Sequence, residues 1–295
     1  MSRFPAFRSM FLVCAAVLIG AASMVPEDAK AVPAFARQTG MACVACHNQA
    51  FPALNSFGRM FKANGYTMVG GQSLIEGEHI SLPMALNMSA VAKIRYAKTN
   101  GNTDTGTDHG QIQWPDEAAF LVGGKVADKV GFLMEIGMAG IATPVEVDME
   151  TGEGEGEGIA LLSSKLHFNV AEFGGSNFSI VPFSTDGLGV GYGFELLNTG
   201  AQRAQRPIEY RTGFSAAQAL EVGSGAATGM SFVLGNNNYF VSYTPWTPGF
   251  NGDNFDVSVS GLAHYFRAVY MPHLFGFDTG FGIQLWAGDS EVADA

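Results

Sequence analysis

The stretch Met84–Tyr96, MALNMSAVAKIRY, alternates in character with a period of two residues. Its more apolar positions are Met84, Leu86, Met88, Ala90, Ala92, Ile94 and Tyr96, and mostly polar or small residues separate them. Successive side chains of a β-strand point to opposite faces, so the pattern predicts a strand with one apolar face. A strand of about 13 residues is long enough to cross a bilayer at a tilt.

The same alternation returns in four later stretches. They lie at 118–126, 130–138, 255–265 and 275–285. A soluble β-sandwich would also alternate, so the pattern by itself predicts a mostly β chain without fixing its environment.

The connections between these stretches alternate between long and short. Long polar segments at about 98–115 and 139–158 are separated by a tight turn at Ala127–Lys129, and a shorter connection contains Gly174–Gly175. Asn236–Asn238 is typical of a hairpin tip. Outer-membrane barrels have long loops outside and short turns in the periplasm. The order therefore predicts an antiparallel outer-membrane β-barrel over residues 84–295, with about ten strands.

The first 31 residues have the layout of a secretory signal peptide. Arg3 and Arg8 precede an apolar run, Met10–Ala22, and a small-residue site follows at Ala29–Ala31. The run is shorter than the roughly 20 residues of a membrane-spanning helix. We therefore expect export across the inner membrane. The formal net charge of −11 argues against nucleic acid as a partner.

Cys43-Val44-Ala45-Cys46-His47 is the stretch with the clearest chemical meaning. Two cysteines three positions apart, followed by histidine, match the attachment motif of a c-type haem. The thiols would bond one porphyrin, and His47 would be the proximal iron ligand. A redox dithiol or half of a zinc site is the alternative, but no βαβ pattern or second ligand pair accompanies the motif. The remaining cysteine, Cys14, lies in the predicted signal peptide. We predict one covalently attached haem c.

Residues 32–70 form the predicted haem segment, and 71–83 a linker. Asn55 or Ser56 can cap a short helix that ends near Asn64, with Gly65 just past its end. Met68 is the predicted distal iron ligand.

Met60 and His79 are alternatives for that distal position, since both lie near the motif in sequence. Arg37, Arg59 and Lys62 could pair with the haem propionates, although a solvated surface position is the ordinary expectation for each.

Three stretches together resemble a known N-terminal signature: Pro33–Met41, then CVACH, then Phe51–Tyr66 with its FPALN, FGRMFK and NGY runs. The signature is that of the fused outer-membrane porin–monohaem cytochrome c proteins of iron-oxidising bacteria. This resemblance implies a small haem segment before a β-barrel. It also implies that electrons from extracellular Fe(II) pass through the haem to a periplasmic carrier.

Members of that family are larger than this chain, which stops at a polar tail, Glu291–Ala295. We expect either a small barrel with the haem below it or a truncated copy of a wider barrel with the haem in its lumen. The tail favours the second. The haem segment would then lie on the periplasmic side of the outer membrane or inside the barrel.

The functional hypothesis is a monohaem cytochrome that carries electrons across the outer membrane. Fe(II) or another small external donor would be the electron source, which would amount to Fe(II):cytochrome c oxidoreductase activity. A periplasmic carrier and outer-membrane lipid would be the partners. One alternative is a soluble periplasmic cytochrome whose β-sandwich binds a partner protein. Another is a porin-like channel in which the haem segment is a plug.

Overall fold

The computed structural model describes residues 34–48, 54–98, 110–138, 146–147, 154–155, 160–197, 220, 222–223, 225–250, 257, 259 and 261–288. The predicted signal peptide and the tail 291–295 lie outside these residues. All described residues belong to one compact unit, Pro33–Ala295.

Two short helices precede the strands. They are α1 (Ala34–Thr39) and α2 (Ser56–Ala63), with a 3-10 turn at Cys43–Ala45 between them. Asn55 caps α2, since its side-chain oxygen accepts a hydrogen bond from the Gly58 amide at 2.9 Å. Gly65 follows the helix with φ +67°. The helix and its two ends are therefore confirmed. None of the described helices is both long and apolar enough to cross a membrane.

The remaining elements are strands. Their bounds are β1 (Leu74–Glu76), β2 (Ser81–Pro83), β3 (Met88–Ala97), β4 (Gln111–Ala127), β5 (Val130–Gly137), β6 (Glu146–Val147), β7 (Gly154–Glu155), β8 (Ala160–Phe173), β9 (Ser176–Thr185), β10 (Ala227–Gly235), β11 (Tyr239–Thr247), β12 (Ala263–Tyr270), β13 (His273–Leu274), β14 (Phe277–Asp278) and β15 (Phe281–Ala287). The mostly β fold class is confirmed.

Nine strands form one antiparallel sheet in the order β15-β12-β11-β10-β9-β8-β5-β4-β3. Each neighbour in the sheet is also the next long strand along the chain. The sheet is open, because β3 and β15 stand at its two ends and no pairing among the described residues joins them. The closed barrel that the sequence predicts is thus not seen in the described part of the chain.

The predicted short turns are confirmed at one end of this sheet, which we call the short-turn end. Asp128–Lys129 joins β4 to β5, Gly174–Gly175 joins β8 to β9, and Asn236–Asn238 joins β10 to β11. The connections at the opposite end, the long-connection end, run over 98–110, 138–159, 186–226 and 248–262.

One detail of the sequence prediction was wrong. The stripe predicted over 275–285 is broken, because β13 and β14 form a hairpin before β15 begins at Phe281. The predicted linker 71–83 contains the paired strands β1 and β2. Of the stretch predicted over 255–265, residues 255, 256, 258 and 260 lie outside the described residues, and β12 begins at Ala263.

The two faces of the sheet differ sharply in polarity. The covered face, against which the helices and residues 186–197 lie, mixes buried apolar side chains with buried polar ones. Its buried polar strand residues include Ser163, Lys165, His167, Ser179, Thr185, Ser231, Ser242, Thr244 and Arg267.

The opposite, open face is apolar and exposed. A cross-strand row on it runs Ile180, Phe232, Tyr243, Phe266 and Leu285. Among the described residues of β9–β12 and β15, this face carries no Asp, Glu, Lys or Arg. Polar residues inside and apolar residues outside are the reverse of a water-soluble sheet.

Residues 186–197 fold back from the long-connection end onto the covered face. Val190, Phe194 and Leu196 are each at least 95% buried and pack into two apolar clusters against β9–β12. Glu195, in the same segment, binds Arg267 at 3.0 Å. The side chains of this segment therefore fill the space against the covered face of β9–β12. Over residues 184–228 the sequence pattern predicts secondary structure less clearly than elsewhere in the chain.

Candidate functional site

The candidate site is the CVACH turn, which α2 holds in place. The amides of Cys46 and His47 both donate to the Cys43 carbonyl, at 3.1 and 2.9 Å. Asn55 braces this turn, because its side-chain amide donates to the Ala45 carbonyl at 3.0 Å and its backbone amide donates to the Cys46 carbonyl at 2.9 Å. One asparagine therefore caps α2 and fixes the motif against it.

Gly58 allows the close contact between helix and motif. A Cβ at this position would collide with the Cys46 carbonyl oxygen. Any other residue at position 58 would have to push the CVACH turn away from α2.

The two thiols lie at the surface. Cys43 is exposed and Cys46 is half-buried, and both are free. Burial raises the pKa of the Cys46 thiol, and Cys43 adds to this, so the thiol is protonated at neutral pH. Val44, between them, is 76% exposed. The motif thus presents two thiols and an apolar side chain towards solvent.

The donor types of the motif fit the predicted haem. The two cysteines would bond the porphyrin, and His47 would reach the iron. Among the described residues, no three His, Cys, Asp or Glu side chains converge as ligands of one ion.

The predicted haem segment lies at the short-turn end, on the covered face. Asn64 receives hydrogen bonds from two strand residues: Asn169 donates to its carbonyl at 2.9 Å and Asn177 to its side-chain oxygen at 2.7 Å. Gly65 lies against Gly131 and against the His167 ring. The C-terminal end of α2 therefore points into the sheet, and its N-terminal end, beside the motif, lies nearer the surface.

Gln38 joins the segment to the sheet. Its side chain is fully buried and donates to the carbonyls of Tyr66 and Met68, while its oxygen accepts from the Asn87 side chain at 3.0 Å and the Lys125 amide at 3.2 Å. Phe35, stacked on Tyr66 at 4.8 Å between ring centroids, packs beside it. The sequence does not reveal this role, because an isolated glutamine is ordinarily a surface residue.

Met68 is half-buried, and its carbonyl is fixed by Gln38 at 2.8 Å. Its role as distal iron ligand stays a prediction. Of the two alternatives, Met60 lies half-buried on α2, and His79 is exposed in the β1–β2 turn beside Glu78.

The three basic residues near the motif are not simply solvated. Arg37 donates to the Leu86 carbonyl at 3.2 Å. Arg59 forms a bidentate ion pair with Asp278, at 2.6 and 2.8 Å. Lys62 is half-buried, and desolvation lowers the pKa of its ammonium group, while the charge of Glu195 acts in the opposite direction. Arg59 therefore holds the segment to the β13–β14 hairpin.

Arg59 also braces the loop that carries the predicted iron ligand. The guanidinium donates to the Leu54 carbonyl at 3.1 Å, and Leu54 forms an antiparallel bridge with His47. The Arg59 side chain is only 7% exposed. The hairpin residue Asp278 is thus linked through Arg59 to the backbone opposite His47.

Asp278→Asn is expected to destabilise the protein by about 1–2 kcal/mol at neutral pH, because charged hydrogen bonds are lost from a partly exposed pair. The hydrogen bond from Arg59 holds the pKa of the Asp278 carboxyl below its ordinary value. Its stabilisation is therefore present above the unfolded pKa of about 3.9 and is lost as the pH falls through the lower folded pKa. The free energy of unfolding, measured against pH, should show the two proteins converging below about pH 4.

Glu78→Gln is the matched control. Glu78 is exposed, 3.8 Å from His79, and its replacement should leave the curve unchanged. Parallel curves for wild type and Asp278→Asn down to the lowest pH would contradict the assignment.

Comparison of the chain with family models, with curated proteins and with solved structures finds no match.

Proposed function

We propose that this protein is a monohaem c-type cytochrome whose β-sheet lies in the outer membrane and which carries electrons between an external donor and a periplasmic carrier. The observation that carries the proposal is a juxtaposition. A CVACH turn is held beside the covered face of a large antiparallel sheet whose other face is apolar and open.

The open face supports a membrane environment. Its strands, β8 to β12 and β15, are 7 to 14 residues long, and about 9–11 residues cross a bilayer at a tilt. Tyr239, Tyr270 and Phe281 form a cross-strand row at the short-turn end, as expected for an aromatic belt at a lipid interface. A soluble sheet with this face in water would be prone to association.

The location of the predicted haem segment supports exchange of electrons with a periplasmic carrier. It lies at the short-turn end, which faces the periplasm in outer-membrane barrels. Covalent attachment of haem c takes place outside the cytoplasm, consistent with the predicted signal peptide. A haem held by Cys43, Cys46 and His47 would accept and pass on one electron at a time.

Residues of this chain would bind the iron and position the motif. His47 would ligate the iron, and Arg59 and Asn55 would hold the motif and its loop. The filled interior over β9–β12 favours a small donor such as Fe(II) over a large one, because a bulky donor could not approach the segment through it. This filling is also the observation that favours the plug alternative, in which the segment blocks a channel and transfers no electron.

Reconstituted vesicles carrying the haem-loaded protein test the proposal. On rapid mixing with external Fe(II), we expect reduction of the haem, followed by its reoxidation by a cytochrome enclosed in the vesicles. The control is the same protein carrying His47→Ala. Absence of haem reduction by external Fe(II) would rule out the iron donor. Recovery of the protein from cells without detergent would rule out the membrane sheet.

A further inference from the structure

We infer that the β13–β14 hairpin is an interfacial anchor, with its exposed aromatic side in the lipid headgroup region and its opposite side holding helix α2, which braces the CVACH turn. This inference rests on the proposed membrane location of the sheet.

The hairpin begins and ends at the margin of the open face. It connects β12 to β15 at the short-turn end, between the cross-strand partners Tyr270 and Phe281, which are 57% and 60% exposed. The Met271 amide donates to the Asn238 carbonyl at 2.6 Å, which fixes the hairpin base to the neighbouring turn. The hairpin therefore continues the aromatic row of Tyr239, Tyr270 and Phe281.

One side of the hairpin is apolar and open. Leu274 pairs with Phe277, and Phe275 lies at the tip. Phe275 and Phe277 are 96% and 71% exposed. In water, an exposed phenylalanine ring forgoes the favourable free energy of its burial. Lipid headgroups and the upper acyl chains would cover these rings.

The tip is also conformationally costly. Phe275 has φ +53°, a left-handed conformation that is rare for a bulky residue, and Gly276 follows at +81°. A strained residue that projects an apolar ring indicates a functional position.

The other side of the hairpin holds the haem segment. His273 pairs with Asp278 in the register, one position away from the Leu274–Phe277 pair, so the two pairs face opposite sides. Asp278 binds Arg59 of α2, and Arg59 binds the Leu54 carbonyl opposite His47. The hairpin would thus fix the depth of the CVACH turn relative to the membrane surface.

Lipid is favoured over a protein partner because the exposed side is continuous with the open face. Tyr270 and Phe281 flank the hairpin and lie on the open face, and Asp278, the acidic residue between Phe277 and Phe281, is engaged by Arg59 on the opposite side. A soluble carrier docking there would have to share the surface with the bilayer.

Depth-dependent fluorescence quenching tests the anchor in the full-length, haem-loaded protein. Phe275→Trp is the probe, Ile283→Trp on the open face of β15 is the positive reference, and Asn237→Trp in the β10–β11 turn is the control at the same end. The added emission over the parent protein is measured in vesicles whose lipids carry bromine near the headgroup or deep in the chains.

We expect headgroup-proximal bromine to reduce the Phe275→Trp emission about twofold, since an interfacial indole lies within contact of it. Deep bromine should quench the Ile283→Trp signal, and neither lipid should quench Asn237→Trp. When Asp278→Asn is added, the Phe275→Trp emission should still be quenched, because the lipid contact does not depend on Asp278. Hydrogen exchange at the Arg59 amide should become faster, because the ion pair that holds α2 is lost.

The possible outcomes distinguish the hairpin anchor from the proposed membrane location of the sheet. Quenching of Ile283→Trp without quenching of Phe275→Trp would overturn the anchor and leave the membrane sheet standing. Quenching of neither would remove both. Quenching of the Phe275→Trp signal by an added haem-bearing carrier protein in place of lipid would replace the anchor with a protein-docking surface. If hydrogen exchange at the Arg59 amide is unchanged in Asp278→Asn, the inference that the hairpin holds α2 through Asp278 is wrong.

Discussion

A chain carrying both Cys43→Ala and Cys46→Ala is expected to lose all covalently attached haem while its sheet stays folded. Both thioether bonds require a cysteine sulfur, and the described residues offer no other free thiol. The contacts between the haem segment and the sheet run through Gln38, Asn64 and Arg59, not through the thiols. Haem staining of the denatured chain measures the attachment, and strand content by circular dichroism measures the fold.

Cys14→Ala is the matched control, since it removes a cysteine outside the motif. It should keep its full haem stain. The single variants should each keep one thioether bond, with a shifted haem absorption band. Haem that stays on the denatured double variant would contradict the assignment of the motif.

Leu285→Lys is expected to destabilise the membrane-inserted protein by about 2–4 kcal/mol, the cost of a lysine near the bilayer midplane. Leu285 is 57% exposed on the open face, in the row shared with Phe266 and Tyr243. In a soluble protein, the same change at an exposed position would alter the free energy of unfolding by less than about 0.5 kcal/mol. Denaturant titration in vesicles measures the difference.

Asn237→Lys supplies the control, because it adds the same charge in the exposed β10–β11 turn at the short-turn end. It should leave the free energy of unfolding nearly unchanged. Equal effects of the two substitutions, or a gain in solubility without detergent for Leu285→Lys, would favour the soluble-cytochrome alternative.

Much of the sheet could be predicted from the sequence, because its local signals agree with its fold. The turn at Asp128–Lys129 and the hairpin at Asn236–Asn238 lie between alternating stretches, where turn residues and two-residue periodicity coincide. The α2 helix was predictable for a similar reason, since Asn55 and Gly65 mark its ends.

The errors have a common physical cause. Alternation records which side chains are apolar, and it does not record where the chain reverses. Phe275 and Phe277 fit the stripe that ends at Leu285, yet the tip at Phe275–Gly276 turns the backbone before β15 begins. The packing of residues 186–197 against the sheet could not be predicted either, because the buried residues Phe194 and Leu196 follow no strand or helix period.

In the candidate site, too, local features can be predicted from the sequence and long-range contacts cannot. The spacing of CVACH predicts the ligand types of a haem, because haem attachment is a local chemical requirement, and this stays a prediction. The residues that position the motif could not. Arg59 and Asp278 are 219 residues apart in sequence, and Gln38 meets Asn87 and Lys125 only in the folded chain.

The sheet has nine strands among the described residues, and because this number is odd, its two edge strands run in the same direction. Neighbours in an antiparallel sheet alternate in direction, so the first and the ninth strand run the same way, and both β3 and β15 run from the short-turn end to the long-connection end. A seam formed directly between them would be parallel, unlike every other pairing in the sheet. An extended segment running in the opposite sense would pair antiparallel with both edges at once. In the bilayer location proposed above, where unpaired backbone groups are costly, a strand between β3 and β15 would therefore have to run opposite to both.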